Sequence, residues 1–91
     1  GLEPLIVDSP AEALPEVDGL IERMMVARGY PITEELALQS IEPEIVAEFL
    51  EARRITRLAD AGEPVAPGDV GAAVTSYRNL YEHLIEERRA P

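Results

Sequence analysis

The stretch Pro67–Arg89, PGDVGAAVTSYRNLYEHLIEERR, limits what this chain can fold into more than any other. Val70, Ala73, Val74, Tyr77, Leu80, Tyr81, Leu84 and Ile85 recur at steps of three and four. On a helix of about 3.6 residues per turn these residues share one broad face. Asp69, Ser76, Asn79, Glu82, His83, Glu86 and Glu87 occupy the rest of the circumference. The other helices are therefore predicted to pack on this one. The face is also wider than a three-helix core of this length requires. Val70, Val74, Tyr77, Tyr81 and Leu84 are thus the candidate association face, with a second copy of the chain as the expected partner.

Three further segments carry helical signals. From residue 14 to 28, Leu14, Val17, Leu20, Ile21, Met24 and Met25 form one stripe, with Glu16, Asp18, Glu22 and Arg23 expected opposite. Pro15 suits only a first turn, so the regular helix is expected to begin at about 14. Gly29 before Tyr30-Pro31 is a stop signal, because Gly takes the left-handed cap conformation and Pro31 prevents resumption. A short helix is predicted over 34–40, with Thr33 at its start and Glu34 and Glu35 near its positive end. Pro43 opens the next helix, 43–61, and Gly62 closes it. Ile45, Val46, Phe49, Leu50, Ala52, Ile55, Thr56 and Ala59 cover most of its circumference, which marks it as central. The short link 62–66 makes it an antiparallel neighbour of the helix over 67–89. The prediction is an all-α bundle of three main helices, about 14–28, 43–61 and 67–89, plus the short one. Residues 1–10 form an extended N-terminal tail, and 11–91 a single helical domain.

Composition narrows the function. Ninety-one residues with one Phe, three Tyr and no Trp leave a core of aliphatic side chains, near the lower size limit for a self-sufficient core. Oligomerisation would remove more apolar surface from water. The absence of cysteine excludes disulfides, thiol chemistry and Cys-based metal sites. Eighteen acidic against eight basic residues give a net charge of −10, which disfavours nucleic acid and anionic membrane as partners and suits a basic protein partner. No apolar run is long enough to span a bilayer and no signal-peptide pattern is present, so the expected location is cytoplasmic. The chain begins at Gly1 rather than Met, as expected of a processed or excised segment.

Motif chemistry is sparse. The single imidazole, His83, lies near Glu82, Glu86 and Glu87, but a catalytic metal site takes three protein ligands and a structural one four. One chain does not obviously supply them, so no metal and no cofactor is predicted. Ser76 stands two turns from His83, too far for a nucleophile–base pair. No phosphate-cradling or calcium-binding loop occurs. No catalytic residue is predicted. Arg53, Arg54 and Arg57 concentrate positive charge on the central helix. They read either as an anion site or as ion pairs with Glu51 and Asp60, or with Glu82 and Glu86. The reading that results is a non-enzymatic, acidic protein–protein interaction module that self-associates through its last helix as a homodimer. The alternatives are an acidic regulator of a basic partner, antitoxin-like or mimicking nucleic acid, and a metal- or ligand-binding bundle using His83.

Overall fold

A computed structural model describes residues 10–37, 39, 40 and 42–89; of the expected tail over 1–10, all but Pro10 lies outside them, and Pro10 opens the first helix. The chain is all-α: α1 (Pro10–Ala27), α2 (Glu34–Ala37), α3 (Pro43–Asp60) and α4 (Pro67–Arg89). The three long helices pack pairwise on one another, and α2 lies against α3. The core is a single cluster that includes Leu14, Val17, Ile21 and Met25 from α1. To it α3 adds Val46, Phe49, Ala52 and Ile55, and α4 adds Ala73, Tyr77, Leu80 and Leu84.

Helix ends follow local chemistry. Gly29 and Gly62 have φ of 82° and 77°, the left-handed region in which glycine carries no Cβ penalty. At each, a paired closure satisfies carbonyls the helix leaves open. The Tyr30 N–H donates to Met25 O and the Gly29 N–H to Val26 O, both at 3.0 Å. The Glu63 N–H donates to Leu58 O at 2.9 Å and the Gly62 N–H to Ala59 O at 3.1 Å. Pro43 and Pro67 are the first residues of α3 and α4, where a missing N–H removes no helical bond.

Two boundaries differ from the expected ones. α1 begins at Pro10, not near 14, and carries Pro15 inside it. Ala13 and Leu14 are buried in this added turn, and their packing offsets the backbone hydrogen bond Pro15 cannot make. α2 closes at Ala37, not at 40. Thr33 anchors it through its carbonyl oxygen, which accepts from Leu36 N–H and Ala37 N–H at 3.2 and 3.0 Å.

Candidate functional site

A polar network crosses the core and ties α1, α3 and α4 together. Asp18 falls in register with Leu14, Ile21 and Met25, so it faces inward, not onto the polar side with Glu16 and Arg23. It is 8% exposed. The Arg53 guanidinium donates to both Asp18 oxygens, with Nη2 to Oδ1 at 2.6 Å and Nε to each oxygen at 3.2 Å, and to Glu22 Oε1 at 2.5 Å. Its Cζ lies 4.6 Å from the centre of the Phe49 ring, a cation–π placement. The Tyr77 hydroxyl donates to Asp18 Oδ2 at 2.7 Å. With that proton committed, the 2.6 Å contact between Thr56 Oγ1 and Tyr77 has Thr56 as donor, and Thr56 shares its proton with Ala52 O at 3.0 Å. Burial pushes the Tyr77 hydroxyl well above the ordinary tyrosine range, while Asp18 keeps the Arg53 guanidinium charged. Among the described residues no buried side-chain nitrogen or oxygen lacks a partner. The network is closed.

The three arginines singled out on α3 line one groove between α2 and α3 but differ in their ion pairs. Arg53 is taken up by Asp18 and Glu22 of α1, not by the acids of α3 or α4 expected to pair with it. Arg54 pairs with Glu51 on the same helix at 2.6 Å, a contact open to solvent. Arg57 is exposed and lines the shallow groove between α2 and α3, beside Leu58 and Leu50.

The expected association face also divides. Tyr77 and Leu84 are fully buried within the chain, and Tyr77 meets Phe49 edge-on with ring centres 6.5 Å apart. Val70, Val74 and Tyr81 are half-buried at the border of the core. The part of that face open to another molecule is narrower than the sequence suggests.

A second polar group lies at the surface. His83 and Glu87 are one turn apart on α4, and the chain entering α3 brings Glu42 to them. Glu42 is held there by Pro43 and by its own N–H donating to Ser40 Oγ at 3.2 Å. His83 Nε2 stands 3.3 Å from Glu42 Oε2 and 3.6 Å from Glu87 Oε2. The Tyr30 hydroxyl, from the loop after α1, stands 2.5 Å from Glu42 Oε2 and 2.7 Å from Glu87 Oε2. Burial, then the hydrogen bonds to Glu42 and Glu87, raise the Tyr30 hydroxyl far above its usual range. Tyr30, then His83, hold the Glu42 carboxyl below its own. The sequence alone marked His83 and Glu87 as neighbours but missed Glu42 and Tyr30, which reach them only through the bundle's packing.

Comparison with protein-family models, with curated proteins and with solved structures finds no match. Among the described residues, no helix is long and apolar enough to cross a membrane.

Proposed function

We propose that this chain is a non-enzymatic interaction module that self-associates through α4. The observation that carries the reading is a stripe beside the core-facing side of that helix. Val70, Val74, Tyr81 and Ile85 are each half-buried, and their centres fall within about 60° of one another around the helix at about 100° per residue. Their separations of four, seven and four residues read the same from either end. Two copies of α4 laid antiparallel about a two-fold axis therefore bring Val70 opposite Ile85 and Val74 opposite Tyr81, twice. Such an interface uses the same patch on both partners, as closed dimers do. The driving force is apolar burial, opposed by repulsion between two chains of net charge −10.

That balance gives a distinctive test. Sedimentation equilibrium across a concentration series should show a mass approaching twice 10.0 kDa, with association strengthened by added salt because salt screens the repulsion. Val74→Glu should hold the chain at the monomer mass while circular dichroism keeps its helical signal. A wild-type monomer at high micromolar concentration and high salt removes the proposal.

A further inference from the structure

The surface cluster carries a second inference, independent of self-association. We propose that Glu42, His83 and Glu87 bind one divalent first-row transition ion, with zinc as the fitting probe and Tyr30 as an outer donor to a ligating carboxylate.

Donor number comes first. One imidazole nitrogen and two carboxylates make three protein ligands, the set that leaves a position open for water or another ligand. One helical turn presents His83 and Glu87 together, and Glu42 closes the set from a segment 41 residues away in sequence. The three donor atoms lie within 4.8 Å of one another. Metal–ligand bonds of about 2.0–2.1 Å in a tetrahedron place ligand atoms about 3.3–3.4 Å apart. The His83–Glu42 and His83–Glu87 separations, 3.3 and 3.6 Å, are already of that size.

Proton accounting points the same way. Tyr30 has one hydroxyl proton and faces two carboxylate oxygens at hydrogen-bond distance. One proton therefore serves both contacts, and among the described residues the basic side chain within reach of Glu42 and Glu87 is His83. A cation between the carboxylates would offset their mutual repulsion, and Tyr30 would then donate to one ligating oxygen, the usual role of an outer-shell group. Chemistry selects the ion. Calcium and magnesium take six or more oxygen ligands, whereas an imidazole in a three-ligand set suits zinc and its neighbours in the first row. Access is open: a cleft of about 490 Å³, lined in part by Tyr30, Glu42 and Glu87, leads to the cluster.

The experiment is calorimetric titration of the untagged chain with zinc alone, with elemental analysis after dialysis. The expected result is one zinc per chain. His83→Gln should weaken binding at least a hundredfold, and Glu42→Gln and Glu87→Gln at least tenfold each. Tyr30→Phe should keep the stoichiometry with about a tenfold loss. Zinc should also shift the His83 Nε2 resonance in the NMR spectrum, and calcium in excess should not reverse it. Absence of stoichiometric zinc overturns the proposal. So does equal affinity in wild type and His83→Gln, which would mean diffuse attraction to an acidic surface. Each variant changes a part-exposed side chain, and circular dichroism verifies its fold.

Discussion

Two neighbouring stripes of α4 are both apolar, each with one tyrosine, and differ in fate. The inner one, Ala73, Tyr77, Leu80 and Leu84, is covered by α1 and α3, and its tyrosine is tied into a hydrogen-bonded network that reaches Asp18 and Arg53. The outer one, Val70, Val74, Tyr81 and Ile85, is half-buried at each position, and its first three residues pack at the rim of the same core. Apolar character places a residue on a side of a helix; it does not say which helix covers it. With three long helices, α4 has about one covered stripe to give, and the remainder of its wide face is left at the edge. Under the proposed self-association the inner stripe serves folding and the outer one association, and substitutions should separate the two.

The largest effect is expected at the base of the inner stripe. Arg53→Leu removes the charged partner that Asp18 has among the described residues, while the Asp18 side chain is 11% exposed. Breaking a mostly buried pair from one side destabilises by about 3–5 kcal/mol, a large share of the stability of a domain this small. Urea denaturation should show it as a lower midpoint. A loss comparable with that of an exposed pair would mean that water reaches Asp18.

A smaller effect is expected from Tyr77→Phe. Removing the hydroxyl takes one donor from Asp18 and one acceptor from Thr56, which costs about 1–3 kcal/mol. Alkaline pH tests the same bond without mutation. Burial raises the Tyr77 pKa above its unfolded value of about 10, so the neutral hydroxyl's contribution is complete below that pH and is lost as pH climbs beyond it. Unfolding midpoints should fall above about pH 10, and less steeply in Tyr77→Phe than in wild type. Tyr30 shares the direction of shift, so part of the slope should persist in Tyr77→Phe and be reduced in Tyr30→Phe.

On the outer stripe, Val74→Thr should leave monomer stability within about 0.5–1.5 kcal/mol while weakening association measurably by sedimentation. Equal stability losses from Val74→Thr and Tyr77→Phe, with association untouched, would erase the distinction between the stripes.

Much of this architecture was legible beforehand because Pro and Gly mark helix ends by mechanisms that act within a few residues. Pro43 and Pro67 open helices, and Gly29 and Gly62 close them, as their chemistry requires. Pro15 misled, since buried neighbours allow a proline inside α1 that propensity alone would place at its start. Asp18 misled for a different reason. Its register with Leu14, Ile21 and Met25 pointed inward, but its charge suggested the outer face, and only the approach of Arg53 and Tyr77 explains why a carboxylate is stable there. Glu42 and Tyr30 had no local signal at all. Their meeting with His83 and Glu87 depends on where the loop around α2 crosses the end of α4, which no periodicity encodes.

The chain contains no cysteine, so introduced thiols report one geometry without background. Mixing Val74→Cys with Tyr81→Cys under mild oxidation tests the antiparallel pairing of the outer stripe directly. The mixed 74–81 disulfide should form faster than either symmetric one, and urea-unfolded chains should lose the preference. Equal rates for all three pairings in the folded protein, or no crosslinked dimer at high micromolar concentration, would contradict that pairing.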